Sequence, residues 1–571
     1  MVPASTDRLE PPSAADLFTP KLITVLREGY RLADFRADLF AGLTVAIVAL
    51  PLSMAIAIAS GVTPERGLYT AAIGGFLISA LGGSRFQIGG PAAAFTVLVA
   101  GCVARQGLDG LLLATLMAGV FLILIGALRL GSYIKFIPYP VTVGFISGIA
   151  TILFVGQIGD LLGLRMVSNP ADILPKLEAI GAVLPTFTPS AVAVSITTVV
   201  LIVGLRRYAP RLPGILIAVV LGALAVALFK LPVETVGTRF GGIPSTLPAP
   251  HLPEISWAKM VAVLPDAISF ALLGAIESLL SAIVADGMTG RRHRSNMELV
   301  AQGIANIASA IFGGICATGT VARTATNVRS GARSPLAGMF HALFVVLFMV
   351  VAAPLASYIP LAGLAGVLAV VSWNMAEKQA FATLVRSSWG DAVVVIATFT
   401  LTVLVGLTPA IVVGFALGAL LFLHRMARSA SVEAHVPLVP EDEADDMSRP
   451  RYDASIAADP DVAVYRITGA FFFGAAATVG SVLDRIADRH KAFVIDFSAV
   501  PFIDSTAANA IESVARKAHK NDVLLLVSGA SVETRKTLNA HGVQGPEVRF
   551  VTSLDEAVAA AHAAVGSRSA T

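Results

Sequence analysis

Residues 312–338 read FGGICATGTVARTATNVRSGARSPLAG, a glycine- and threonine-rich break that carries Arg323 between two strongly apolar segments. The apolar runs at 299–312 and 336–356 put this break at membrane depth. Lipid offers no hydrogen bonds, so irregular backbone survives there only where it lines a cavity or is buried in protein. A charged side chain at that depth is costly and by default marks function. A short helix that starts inside the membrane aims its positive end at whatever binds there. Backbone donors plus one arginine make an anion site. The plainer reading is a kinked span whose Arg323 snorkels to the surface.

Composition agrees with a membrane chain. Of 571 residues, 56% are hydrophobic and 14% charged, which excludes an ordinary soluble globular protein. The N-terminus is polar and proline-rich, and the first long apolar run begins near Phe40, so no cleavable signal peptide is expected. The two cysteines, Cys102 and Cys316, lie in apolar surroundings and suit packing better than a disulfide or a thiolate metal site.

Hydropathy marks fourteen segments, at 40–60, 67–82, 91–104, 110–129, 139–158, 190–206, 212–230, 259–287, 298–312, 320–332, 335–357, 361–375, 389–406 and 409–427. A straight spanning helix needs about 20 apolar residues, and the third and tenth segments fall short of that. Each is entered through a break containing glycine: Ile88, Gly89, Gly90 and Pro91 before the third, Cys316, Ala317, Thr318 and Gly319 before the tenth. Split into two halves of seven, the chain has its short segments at matching positions. That arrangement predicts an all-α polytopic protein of two inverted repeats, with its site at the midplane. Thirteen arginines and lysines fall on the side of the termini against seven in the longer opposite loops, which predicts cytoplasmic termini. The net charge of +3 follows from this topology and gives no reason to expect nucleic-acid binding.

After residue 428 the pattern changes. Residues 429–460 are acidic and proline-containing and read as a linker, leaving 1–39 as an N-terminal segment and 40–428 as the membrane body. Residues 461–565 alternate strands (462–467, 492–497, 523–527) with amphipathic helices (474–488, 505–518, 532–540), enough for one small α/β domain.

Within that domain, 496–508 (DFSAVPFIDSTAA) resembles the signature of STAS domains, whose signalling members are phosphorylated on the serine matching Ser505. The plainer reading of Ser505 here is a helix cap, its hydroxyl accepting from an early amide. A fourteen-segment body followed by a STAS domain resembles the SulP sulfate-permease family, relatives of animal solute carrier family 26. Three further motifs carry the likeness over about 30–565: Pro51 to Ala57 running on to Gly61, Pro64, Gly67, Leu68 and Tyr69; Gly90, Pro91, Ala92, Ala93 and Ala94; and the opening stretch. The family implies a homodimer in a bacterial inner membrane, with the STAS domain cytoplasmic.

The eighth segment contains LGAIESLLSAIVADGMTG at 273–290, similar to a bacterial branch that takes up C4-dicarboxylic acids. It holds the second charge at membrane depth, Glu277, a candidate proton-coupling group, with Ser281 one turn on along the same face. Sodium-coupled bicarbonate relatives carry aspartate at the matching position, so glutamate favours a proton over sodium. A structural Glu277–Arg323 pair that fixes helix register is the compatible alternative. Many sulfate-type members have glutamine and an aromatic where this chain has Leu52 and Ile56. Their loss suits the apolar middle of a dicarboxylate, yet backbone donors at helix starts also bind sulfate.

The sequence therefore predicts a proton-coupled importer of a small dianion, sulfate or C4-dicarboxylate. The anion is expected between the starts of the third segment (Ala92, Ala93) and the tenth (Thr320, Val321, Ala322), beside Arg323, Leu52 and Ile56. A passive anion channel and a STAS-based regulatory membrane protein are the alternatives. No phosphate-binding loop and no nucleophile–base set is present in the sequence, so an ATP-driven pump and an enzyme lack support, and no cofactor or metal is expected.

Overall fold

The computed structural model describes residues 17–568 apart from 132–137, 167–169, 171, 210–211, 430, 435–461, 472–491, 521–522 and 545–547. The chain divides into a unit ending at Phe415 and a second beginning at Ala416.

The first unit is helical. It opens with α1 (Lys21–Glu28), α2 (Leu32–Ala59), α3 (Pro64–Tyr69), a π-turn (Thr70–Gly74) and α4 (Gly75–Leu81). A two-residue strand β1 (Gly89–Gly90) leads through a 3-10 turn (Ala93–Phe95) into α5 (Thr96–Ala127). Gly107, at φ 68° and ψ −171°, interrupts α5, so the third and fourth apolar segments are separate helices. There follow α6 (Tyr139–Leu162), α7 (Ile173–Val183), α8 (Pro189–Tyr208), α9 (Gly214–Phe229), α10 (Val236–Phe240), α11 (Trp257–Thr289) and α12 (Ser295–Ile311). Strand β2 (Thr318–Gly319) precedes the nine-residue α13 (Val321–Arg329). The unit continues with α14 (Leu336–Ala356), α15 (Leu361–Met375), α16 (Lys378–Ser387) and α17 (Trp389–Leu404), and α18 (Leu407–Ser429) crosses the boundary between units.

All fourteen apolar segments fall on helix. Among the described residues, six helices are long and apolar enough to cross a membrane unaided. The helices α7 and α16 were not anticipated: α7 is only 11 residues long, and the amphipathic α16 has too low a mean hydropathy to register in a search for spans.

Helices of the unit form two packed groups. In one, α5 packs on α11 and α12, α14 packs on α2 and α4, and α13 packs on α11 and α2. Small residues permit this closeness: a Cβ on Gly119 would lie 2.6 Å from the Gly303 carbonyl oxygen. In the other, α6 packs on α15 and α17, with α8 beside α15 and α9. The groups meet where α2 runs against α9 and α15. Fully buried Asp38 ties the start of α2 to the turn after α13, accepting from Tyr30 Oη (2.9 Å), Arg333 N (2.6 Å) and Ser334 N (3.1 Å).

The second unit carries a five-stranded sheet in the order β3 (Ser431–Ala434), β4 (Val462–Thr468), β5 (Ala492–Ala499), β6 (Leu524–Ser528) and β7 (Val548–Val551). The β3–β4 pair is antiparallel and the other pairs are parallel. Alternation sorts the side chains by face. Phe493, Ile495 and Phe497 pack with α19 (Ser505–Lys520), while Ala492 and Val494 pack with α21 (Leu554–Arg568). Between β6 and β7 lies α20 (Val532–Ala540), as expected.

Two expectations need correction. The stretch read as linker contributes β3, so the sheet begins inside 429–460; the expected helix at 474–488 and the acidic run at 435–460 lie outside the described residues. Ser505 is not the cap of α19: the helix begins at Ser505, which is exposed, and the Ala507 amide donates to Asp504 Oδ1 at 2.8 Å.

Candidate functional site

Strands β1 and β2 pair antiparallel, Gly89 with Gly319 and Gly90 with Thr318. The two breaks at matching positions of the halves are thus one structure. Each strand feeds a helix start, and antiparallel pairing sends the two helices away from a shared centre in opposite directions. Both positive ends therefore face that centre, each worth about half a charge. The first-turn amides of α13 have no partner within the helix, as at any helix start, and remain donors for a ligand.

Arg323 is buried at 2% exposure, which rules out the snorkelling reading. Its Nη2 donates to Ser53 Oγ (3.2 Å) and to the Pro91 carbonyl (3.1 Å), while Nε and Nη1 have no hydrogen-bond partner among the described residues. Buried guanidinium donors without acceptors are expensive, and an acceptor arriving from outside would satisfy them. Gly90 makes the approach possible: it holds φ 154°, and a Cβ there would fall 2.3 Å from Arg323 Nη1.

Of the other expected residues, Ala92 is buried and Ala93 half-buried at the 3-10 turn, and Val321 and Ala322 are exposed in the first turn of α13. Thr320 caps that helix, but its amide is already donated to the Ile88 carbonyl at 3.0 Å, so it offers no backbone donor. Leu52, at 8% exposure, and Ile56, at 1%, both belong to the packed core.

Glu277 sits on α11 at 9% exposure and makes no hydrogen bond or ion pair to any described residue. The structural Glu277–Arg323 pair is therefore absent, because Arg323 turns instead to α2 and the break before α5. Ser281 is fully buried and donates to Thr324 Oγ1 at 3.0 Å, so it stitches α11 to α13.

Sequence reading missed the residues that hold the crossing. Gln87 Nε2 donates to Ser278 Oγ at 3.0 Å, and the Ile88 amide donates to Thr324 Oγ1 at 3.1 Å. The fully buried Glu298 accepts from the amides of Gly83 (2.8 Å) and Ser84 (3.1 Å) and from Gln302 Nε2 (3.0 Å), fixing the turn that precedes β1. Ser53, Ile88, Ser278 and Thr324 lie in stretches that the sequence marks, but which contacts they make carried no signal there. Gly319 lies so close to Gln87 that a Cβ would fall 1.5 Å from Nε2. Gly319→Ala is expected to destabilise the protein by several kcal/mol, through overpacking and loss of the Gln87 bond. Thermal unfolding checks this, and Gln87→Ala in the same chain should restore much of the loss. An unchanged melting temperature in Gly319→Ala alone would mean the crossing is looser than described.

Comparison with known proteins agrees with this architecture. The Sulfate permease family model matches residues 35–398 and the STAS domain model matches 453–557. The chain belongs to the sulfate permease family and is a multi-pass membrane transport protein, not an enzyme. The putative sulfate transporter YvdB of Bacillus subtilis is 39% identical over 90% of this chain and 95% of its own length. The bicarbonate transporter BicA of Picosynechococcus is 31% identical over 88% of this chain and 90% of its own. Among solved structures, the murine Solute Carrier 26 family member A9 anion transporter in its inward-facing state superposes with a TM-score of 0.83. It is 19% identical and covers 98% of this chain and 97% of its own. The transmembrane domain of a cyanobacterial BicA covers 67% of this chain and 98% of its own, with a TM-score of 0.60 at 34% identity.

Proposed function

We propose that this protein is a proton-coupled importer of a small oxyanion, sulfate or bicarbonate, working by alternating access in a bacterial inner membrane. The observation that carries the reading is the antiparallel pairing of Gly89 and Gly90 with Thr318 and Gly319, which directs two helix starts and Arg323 toward one buried point. Relatives named for sulfate and bicarbonate support an inorganic oxyanion over the C4-dicarboxylate suggested by residues 273–290. The body is fourteen segments in two inverted repeats of seven, with both termini cytoplasmic, and it assembles as a homodimer.

Glu277 supplies the coupling. A carboxylate without a hydrogen-bonded or ionic partner among the described residues, on a helix packed against α13, is free to take and release a proton as the site changes sides. Import of the anion then carries compensating positive charge. Proteoliposomes given labelled sulfate or bicarbonate, with an inward proton gradient, an inward sodium gradient or neither, test the proposal. The proton gradient should accelerate uptake of one of the two anions. Acceleration by sodium alone would reassign the coupling ion. Downhill flux indifferent to both gradients would make the protein a channel, and no flux of any anion would favour a regulatory role.

The STAS unit assists or regulates transport and takes no part in the anion site, all of whose residues precede 330. Removal of residues after 429 should lower transport rate or assembly and leave substrate affinity and anion preference unchanged. The cut belongs there and not near 435, because β3 is part of the sheet. Altered anion selectivity in a folded truncated protein would contradict this placement.

A further inference from the structure

Away from the crossing, a second charged pocket of about 560 Å³ is formed at the C-terminal end of α6, against α7 and the approach to α10. Five ionisable side chains line it: Asp160, Arg165, Lys176, Glu234 and Arg239. Arg239 satisfies both carboxylates, with its Nη1 3.0 Å from Asp160 Oδ1 and 3.6 Å from Glu234 Oε2. Neither Lys176 nor the side chain of Arg165 forms an ion pair or hydrogen bond with a described residue. The Lys176 ammonium is half-buried over Gly156, 3.8 Å from where a Cβ would stand. Burial with nothing to offset it holds its pKa below the ordinary lysine value. Three cations against two carboxylates leave the lining net positive, and the excess sits on the two side chains without partners among the described residues.

We infer that this pocket is a second anion site, which takes a small oxyanion on Lys176 and Arg165, separate from the transport site. A half-buried ammonium without a counter-ion is unfavourable, and a carboxylate, sulfate or bicarbonate oxygen supplies both the charge and the acceptor it lacks. Gly156 and Gly159 leave the floor open, and the volume accommodates the anion with part of its water. Given cytoplasmic termini, the pocket opens on the outer face. It then holds the anion at the surface from which import begins, and occupancy there stabilises the α6–α7 corner.

Calorimetric titration of the full-length protein in nanodiscs with sulfate and, separately, bicarbonate tests the inference. Wild type should show two binding components for at least one of these anions. Lys176→Gln should weaken one component about tenfold or more, as expected for loss of a charge-assisted bond, and Lys176→Arg should retain it. Arg323→Ala should affect only the other component. These two variants separate failure of this site from failure of the transport site. A single component that Lys176→Gln leaves unchanged would overturn the inference. So would equal loss in Lys176→Gln and Lys176→Arg, which would assign Lys176 a purely structural role. As a check independent of variants, either anion should slow acylation of Lys176 by a membrane-impermeant amine reagent, read by peptide mass; equal rates with and without anion would overturn the site.

Discussion

Arg323→Ala should weaken binding of the transported anion by about one to two orders of magnitude, the amount that follows from losing a hydrogen bond between charged partners in a buried site. The guanidinium is 2% exposed and keeps Nε and Nη1 without partners among the described residues, so in the proposed function these donors are what the anion meets. Removing it also strips the Pro91 carbonyl of the donor at 3.1 Å, which costs stability without involving the anion. Arg323→Lys separates the two effects. It keeps the charge but loses the planar fork, so affinity should fall between wild type and Arg323→Ala. Because Glu277 forms no ion pair with Arg323 in this structure, the single variant does not strand a carboxylate, and no compensating change at 277 is needed. Equilibrium binding to purified protein reads the result. Wild-type affinity in well-folded Arg323→Ala would reduce Arg323 to a brace between α13 and α2.

Glu277→Gln should bind and exchange the anion yet lose acceleration by an inward proton gradient. The amide keeps the shape of the carboxyl group and removes its titration. Since the wild-type carboxylate is not hydrogen-bonded to any described residue, the change breaks no hydrogen bond with them, and folding should be close to normal. Counterflow exchange and gradient-driven uptake, measured on the same vesicles, separate binding from coupling. Equal gradient-driven rates in the two proteins would eliminate Glu277 as the proton carrier. Loss of exchange as well would place Glu277 in the anion site itself.

Much of this architecture was legible because the membrane restricts what backbone can do. Breaks at 88–91 and 316–319 could persist only if something paired them, and they pair with each other. Arg323 could be singled out because a lone charge between apolar runs has few tolerable placements. Its direction could not. Hydropathy places a residue at a depth but does not choose among neighbouring helices, so Glu277 was offered as an alternative partner when the actual ones are Ser53 and Pro91. The same gap hid Gln87 and Glu298, whose contacts lie 191 and 215 residues away in the chain. In the C-terminal unit, β7 and α21 escaped notice because short strands and alanine-rich helices give weak periodic signals. Ser505 was credited with a cap that Asp504 supplies, since both residue types favour that position and only the backbone decides which is first.

Where the anion sits decides the function of the crossing. A structure of the protein saturated with the anion that the uptake assays identify is the most direct measurement. It should show the anion at the β1–β2 crossing, within hydrogen-bond distance of Arg323 Nη1 or Nε and of first-turn amides of α13. Anion density elsewhere in the membrane body, with Arg323 still directed only at Ser53 and Pro91, would contradict it.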